Sequence, residues 1–513
     1  MKMRQDSYSK IKTIEKLGDI LEGLRKKGKR IVHCHGVFDL LHPGHIKHFE
    51  AAKQKGDVLV VTVTKDEYVN KGPGRPVFNQ NLRAESIAAM ECVDFVAVNE
   101  WPTAVKTIEV LKPHFYVKGS DYANRGEDIT GRIYEEEEAV KSVGGFLHFT
   151  DEISFSSSAL INSYFAPYPK EAQDFFIRFK NRYTSRDITR HLDGIKDVKI
   201  LLIGDIIIDE YHYCIGMGKA QKDNIIATRF MNEEIFAGGV LAAANHVAGF
   251  CKDVTLLSCI GTINDYRNFI PKHLKGNVRS NFYYRGDAPV VVKRRFVDPS
   301  FLNKLFEICY LSDGMPLPRT IEDEICDYLK TRLNEFDMVM VADFGHGLIT
   351  DRVLKILCKK SKYLAVNVQT NSANFGFNVV TKFPRADYIC IDEPEIRLAC
   401  HDRVSNLEKL IVKISRRLAC EKIIITRGHK GALAYSKEDG FIEIPVFSKE
   451  VVDRIGAGDA YFSITSPCVY KDIPIDIVGF IGNAAGAMKV LIVGNRSSVE
   501  PVALHKYVTT LLK

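Results

Sequence analysis

No two of the twelve cysteines form a Cys-x-x-Cys pair. That argues against a disulfide framework and a thiolate metal site, and for free thiols in a reducing, cytoplasmic compartment. Long apolar runs are missing too: none approaches the roughly 18 uninterrupted residues of a membrane helix, and the longest, such as residues 58–63, are strand-sized. The opening MKMRQDSYSKIKTIEK lacks a signal peptide's apolar core. Neither sign of charge dominates, since 71 Lys and Arg against 64 Asp and Glu leave a net charge of +7. So weak an excess suits small anionic ligands rather than a nucleic-acid surface, and neither nucleic acid nor a membrane is expected as a partner. No Walker A motif, low-complexity tract or repeat occurs.

What is present is ordinary globular material, with 46% hydrophobic and 26% charged residues over 513 positions, enough for two or three domains. From Ile31 onward short apolar runs alternate with helical patterns, which predicts an α/β fold: a parallel sheet, helices on both faces, and ligands at the strand ends. The alternation stops near Ser163 and a second succession starts at Val198. The expected domains are therefore residues 1–163 and 198–513, joined by a mixed-charge helical linker at 164–197. Within the second, residues 210–235 and 280–310 read as β-like and suit a small sheet or lid.

The segment HCHGVFDLLHPGHIKHFEAAK places His42 and His45 three apart at the start of a helix that follows a strand. Both imidazoles can face one ligand there. Gly36 and Gly44 permit close backbone approach, and a helix N-terminus offers unpaired N–H groups to a polyphosphate. Two histidines at this spacing can also bind zinc or simply pack, although no third ligand stands at metal spacing nearby. Their company is KGPGRP at 71–76, Arg83, VKGSDY at 117–122 and SSSALI at 156–161.

With those motifs, residues 29–162 resemble the nucleotidyltransferase superfamily that includes glycerol-3-phosphate cytidylyltransferase and, more closely, the adenylyltransferase half of bifunctional heptose-phosphate enzymes. The resemblance implies a Rossmann-like domain in which a sugar phosphate oxygen attacks the α-phosphorus of a nucleoside triphosphate and pyrophosphate leaves. It makes His42 and His45 catalytic. Gly36, Phe38, Asp39, Lys71, Arg75, Arg83, Lys118, Ser157 and Ser158 would hold nucleotide, and Asp121 and Tyr122 substrate, with Asp39 and Asp121 orienting substrate or base. No covalent nucleophile is needed when the substrate brings its own phosphate anion, so positioning and charge stabilisation with Mg²⁺ suffice.

A second constellation is VVDRIGAGDAYF at 451–462. Its successive N–H groups can form an anion hole, and Asp459 beside it can take a hydroxyl proton, although a helix cap would explain that aspartate equally well. LLIGDIIIDEY at 201–211, FAGGVLAAANHVA at 236–248, VADFGHGLIT at 341–350, TRGHKG at 426–431 and GNAAGAMKV at 482–490 follow the order seen in ribokinase-like sugar kinases. That resemblance implies Asp459 as base and an anion hole at Gly456, Ala457 and Gly458. It assigns nucleotide contacts to Thr426, Gly428, Gly431 and Asn483, and sugar contacts to Asp209, Gly239 and Asn245. In the lid, Lys293, Arg294 and Arg295 would grip a phosphate already on the sugar, and Asp392 with Glu395 would organise Mg²⁺ indirectly, Asp392 standing where an Asn is usual. VNVQTNS at 366–372 and GNRSS at 494–498 also depart from the kinase pattern, which leaves a weak or purely regulatory kinase half open.

Together the resemblances imply a nucleotidyltransferase fused ahead of a ribokinase-like kinase, the reverse of the order in the bifunctional heptose enzymes. The expected substrates are sugar phosphates with ATP, or CTP in the first domain. The expected products feed cell-envelope polysaccharide, and the expected assembly is a homodimer paired through its lids.

Overall fold

The computed structural model describes residues 7–119, 132–150, 157–164, 168–312 and 315–513. The chain forms two compact units, Met1–Pro167 with His505–Lys513, and Tyr168–Leu504. This differs from the expected division at both joins. The segment read as a linker folds into the second unit, because helix Lys170–Lys180 buries an aromatic face: Phe179 stacks on Phe480 at 4.4 Å and Phe176 meets Phe447 at 4.8 Å. The last nine residues, expected in the second domain, group with the first unit instead.

The first unit is built on five parallel strands, β1 (Ile31–Gly36), β2 (Val58–Thr64), β3 (Phe95–Asn99), β4 (Phe115–Gly119) and β5 (Phe146–Thr150), in the order β3-β2-β1-β4-β5. β2, sequence VLVVTVT, is buried along its whole length, as a strand covered by helices on both faces must be. The strand order reverses between β1 and β4, the switch point at whose carboxyl ends ligands bind in sheets of this kind.

The second unit contains a nine-stranded sheet. Its strands are β6 (Lys199–Gly204), β9 (Asp253–Gly261), β10 (Val278–Arg285), β13 (Met338–Asp343), β14 (Leu364–Val368), β15 (Tyr388–Asp392), β16 (Lys422–Thr426), β17 (Ala432–Ser436) and β18 (Gly440–Ile444). They lie in the order β10-β9-β6-β13-β14-β15-β16-β17-β18, with β17 and β18 antiparallel. The lid is a separate sheet of β7 (Ile206–Lys219), β8 (Ile226–Gly239), β11 (Val291–Asp298) and β12 (Asn303–Tyr310), ordered β12-β11-β7-β8. Helices Ala457–Tyr470 and Ile475–Lys489 are buried on nearly every side, so their apolar composition fills the core instead of forming one stripe.

Candidate active sites

In the first unit β1 ends at Gly36, where a Cβ would come within 2.9 Å of the ring of Phe38. Helix Pro43–Lys53 then opens with His42 as an extended N-cap and Pro43 at its first position, a residue whose missing N–H costs nothing there. His42 makes no side-chain cap, and because Pro43 has no N–H and the His45 amide donates to the His42 carbonyl at 2.9 Å, the Gly44 amide is the first that can meet a ligand. The imidazoles of His42 and His45 stack with centroids 3.8 Å apart, and the Phe38 ring stands edge-on to His45 at 5.3 Å. Burial, then His42, His48 and Lys71, drive the His45 pKa down to about 3, and burial lowers that of His42. Both rings are therefore neutral at pH 7 and can donate only through a neutral N–H. His45 Nδ1 is buried without a hydrogen-bond partner.

The 71–77 loop lies beside this helix. Asp39 Oδ1 accepts from the amides of Val77 (2.7 Å) and Phe78 (3.2 Å), and its Oδ2 stands 3.6 Å from Arg75 Nη1. Asp39 thus holds the loop in place of the expected substrate contact. Arg75 is buried and donates to Asn162 Oδ1 at 2.7 Å. Burial, opposed by Asp39 and reinforced by Lys513, Arg75 and Lys506, lowers the Lys71 pKa to about 8, so Lys71 still carries its charge at neutral pH. Ser157 donates to the Leu40 carbonyl at 3.1 Å, and Ser158 is buried.

Arg83 must be reassigned. Its guanidinium is 1% exposed and donates to the carbonyls of Phe78 (2.9 Å), Thr64 (2.8 Å) and Val37, and to Asp66 at 2.5 Å, which leaves no arm for a phosphate. The Lys118 ammonium is neutralised by Glu136 at 2.8 Å and sits 5.2 Å over the Tyr116 ring. Asp121 and Tyr122 lie outside the described residues. His48, which the motif reading passed over, shares Thr150 Oγ1 at 2.8 Å and ties the helix to β5; its position three residues after His45, on the same face, was the available signal.

In the second unit, helix Ala457–Tyr470 has Gly456 as its N-cap, again with no side-chain cap. Glycine is required there: φ is +77° and a Cβ would stand 2.5 Å from Asn495 Oδ1. Asp459, in the first turn, accepts from Gln369 Nε2 at 2.6 Å, and Gln369 in turn donates to Asn367 Oδ1 at 3.1 Å. Burial raises the Asp459 pKa to about 6; Gln369 opposes it, Asp209 adds to it, and Lys489 and Lys293 oppose it. Lys489 is fully buried behind the Gly456 loop and donates to the carbonyls of Ile455 (2.8 Å) and Gly494 (2.6 Å). Burial takes its pKa down to about 8. The signal for Lys489 was a cation at the end of an otherwise apolar helix; for Gln369 it was the departure at 366–372.

Asp209, on β7, accepts from Arg295 at 2.5 Å and from Asn495 at 3.3 Å, and a Cβ on Gly238 would collide with it. Arg295 also pairs with Glu307 at 2.7 Å, while Arg294 is taken by Glu210 at 2.6 Å and Tyr310 at 2.9 Å. Of the three basic lid residues only Lys293 forms no ion pair among the described residues, and it is the one whose charge reaches Asp459.

Several other residues expected at the sugar and nucleotide sites also carry hydrogen bonds or turns of the fold. Asn245 donates to His273 O at 2.7 Å and accepts from Lys275 N at 2.9 Å, so both ends of its amide fix a loop. Asn483 donates to the carbonyls of Ile444 (3.1 Å) and Pro445 (2.7 Å). Gly239 (φ +55°) and Gly431 (φ +82°) are turns in which a Cβ would strike Asp205 O and Ile444 O. Thr426 ends β16, and Gly428 opens the short turn after it. Asp392 and Glu395 form a reciprocal capping box, each side chain accepting from the other's amide at 2.8 Å, and burial raises the pKa of both carboxyls. Among the described residues no group of three or more His, Cys, Asp and Glu could hold a metal, and no helix is long and apolar enough to cross a membrane.

Comparison with known proteins follows this division. The cytidylyltransferase-like family matches residues 33–163. The bifunctional protein HldE of Aliarcobacter butzleri is 41% identical over 145 residues, 28% of this chain and 30% of that protein, and HldE of Trichlorobacter lovleyi is 40% identical over 143 residues, 28% of each. The chain thus spans about three tenths of the length of the curated relatives it matches. Among solved structures, ribokinase from Thermotoga maritima aligns with 61% of this chain and 99% of its own at 17% identity and a TM-score of 0.49, and phosphofructokinase-2 from Escherichia coli with 62% and 100% at 11% and 0.49. The pfkB family of carbohydrate kinases matches residues 199–501, more than half of the chain, around the Asp459 site, and the chain belongs to that family.

Proposed function

We propose that the chain is a bifunctional enzyme of nucleotide-sugar synthesis. One unit transfers a nucleotidyl group from ATP to a sugar 1-phosphate, and the other phosphorylates a heptose 7-phosphate at its anomeric hydroxyl with ATP. The observation that carries this reading is shared by both units: a helix N-terminus without a side-chain cap, at His42 and at Gly456, beside groups suited to phosphoryl chemistry. The HldE likeness of the first unit supports the heptose assignment.

In the transferase, a sugar phosphate oxygen attacks the α-phosphorus in line and pyrophosphate departs. Neutral His42 and His45 donate hydrogen bonds to the charge developing on the phosphoryl oxygens, and Lys71 and Arg75 draw the leaving pyrophosphate. In the kinase, ionised Asp459 takes the anomeric proton as the sugar oxygen attacks the γ-phosphorus and ADP leaves, with the amides of Gly456, Ala457 and Gly458 receiving the transferred group. In this reading Lys293, whose charge acts on Asp459, holds the phosphate already on the sugar. Mg²⁺ supplies charge neutralisation on the nucleotide. Asp392 and Glu395 would offer it hard oxygen donors through water, because one Asp392 oxygen already caps the Glu395 amide and the two Glu395 oxygens accept from the amides of Asp392 and Thr370. A homodimer fits the lid, whose residues Met217 (64% exposed), Ile226 (78%) and Phe230 (54%) form an apolar surface.

The test incubates the full chain with heptose 7-phosphate or heptose 1-phosphate and either ATP or CTP, following ADP and pyrophosphate separately. Release of both, each with its own sugar phosphate, is expected. Pyrophosphate from CTP alone would favour a cytidylyltransferase, the reading the first family match supports; absence of both products would refute the proposal.

A further inference from the structure

Residues 505–513 fall outside both matched segments, which end at 163 and 501, yet they fold with the first unit. Specific contacts join them to the 71–77 loop. Gly72 (φ +89°) lies so close to the buried ring of Tyr507 that a Cβ would stand 1.9 Å from Cδ2, so the loop and the ring leave no space between them. One amide spans the next step: Asn162 Oδ1 accepts from Arg75 Nη2 at 2.7 Å, while Asn162 Nδ2 donates to the Thr510 carbonyl at 2.6 Å. Arg75 in turn faces Asp39, which holds the amides of Val77 and Phe78. A continuous chain of contacts therefore runs from this terminal segment through the loop to Asp39, in the segment between β1 and His42. Lys506 adjoins Tyr507 as Lys71 adjoins Gly72, so the contact of ring and glycine brings those two cations to one place, and Lys506 and Lys513 both act on the Lys71 charge.

We propose that residues 505–513 are a working part of the nucleotidyltransferase site: Tyr507 and the Thr510 carbonyl position the 71–77 loop, and Lys506 with Lys513 adds positive potential for the triphosphate. The inference rests on the nucleotidyl-transfer reading of the first unit. It goes beyond that reading by making the site depend on chain that follows the kinase segment. A loop carrying Lys71 and Arg75 works only if those cations are held where the β- and γ-phosphates arrive, and a packed ring behind a glycine is a rigid stop for such a loop. Tyr507 and Asn162 are positioning residues, acting through the loop.

The experiment uses the full chain with Tyr507→Ala, Tyr507→Phe and the double substitution Lys506→Ala/Lys513→Ala. Pyrophosphate release from ATP and from CTP with heptose 1-phosphate gives kcat and KM. ADP release with heptose 7-phosphate in the same preparations reports the other unit, and hydrogen exchange is followed at the Val77 and Phe78 amides. Tyr507→Ala should speed that exchange at least about tenfold and lower kcat, and Tyr507→Phe, which keeps the ring, should restore both. The double lysine variant should raise the nucleotide KM about tenfold with kcat within about twofold, and weaken its dependence on salt. ADP release should not change. Unchanged exchange in Tyr507→Ala, or an unchanged KM in the lysine variant, overturns the proposal. A wild-type chain that releases no pyrophosphate from either nucleotide refutes the transferase reading instead, and the exchange measurement still decides whether Tyr507 holds the loop.

Discussion

The hydrogen bond from Gln369 to Asp459 allows a quantitative test of the kinase mechanism. Burial raises the Asp459 pKa to about 6, and the 2.6 Å bond from Gln369 is the largest influence opposing that rise. A base must be ionised to accept a proton, so phosphorylation should fall as pH drops through about 6, to about a tenth of its plateau at pH 5. Gln369→Leu removes the donor while keeping an apolar side chain of similar size. A hydrogen bond to a charged acceptor is worth about 1.5–3 kcal/mol, and about 1.4 kcal/mol corresponds to one pH unit, so the acid limb should move up by about one to two units. At pH 7 the variant would then retain roughly a tenth to a half of its own plateau activity. The Lys489 ammonium discharges near pH 8 and should bring an alkaline fall, so the variant's bell should narrow from the acid side only. The measurement is kcat/KM for heptose 7-phosphate from pH 5 to 9, with coupled detection of ADP. A limb that stays at its wild-type position, or a loss of rate equal at every pH, would refute the role given to Gln369 and weaken that given to Asp459.

Asp459→Asn should lower ADP formation by about 10²- to 10⁴-fold while pyrophosphate release persists, measured in the same preparation; loss of both activities together would contradict separate sites. His45→Ala should slow nucleotidyl transfer by about 10²- to 10³-fold, the worth of one preorganised donor, and an unchanged rate would return that ring to a packing role. Lys489→Met removes the ammonium from two backbone carbonyls and three neighbouring aspartates, a buried charge deletion expected to lower stability by about 3–5 kcal/mol in urea unfolding. A change below about 1 kcal/mol would show that the carbonyls find other partners.

The architecture was legible where local chemistry determines it. Residues 58–63 are apolar apart from Thr62 because β2 is covered on both faces, and the pattern around 291–297 reads directly as a lid strand. The two helix N-termini were legible because proline and glycine mark them from within a few residues. What the motifs could not convey was the direction in which a polar side chain turns. Asp39, Arg83 and Asn483 sit within phosphate- or nucleotide-site motifs, yet their polar atoms pair with backbone groups of neighbouring segments. The placement of residues 505–513 depends on contacts more than 340 positions away, such as that between Asn162 and Thr510, and no periodicity encodes such a pairing.

Two aspartates six chain positions apart, Asp453 and Asp459, show how the kinase unit separates its carboxylates. Asp453 accepts from Lys304 (2.7 Å), Ile455 N (3.2 Å), Tyr211 (2.6 Å) and Gly494 N (2.8 Å), and these donors outweigh its burial, so its pKa lies below the usual carboxylate range. Among the described residues Asp459 receives one side-chain bond, from Gln369, and rises to about 6. Equal residues with unequal donor sets take unequal roles: the richly bonded one stays ionised and fixes the loop, and the sparsely bonded one is poised to exchange a proton near neutrality. Under the proposed mechanism the unusual 366–372 segment is compatible with catalysis: through Gln369 it supplies a donor that holds the Asp459 pKa down, and a second donor there would make Asp459 a weaker base by the same physics that makes Asp453 a structural one.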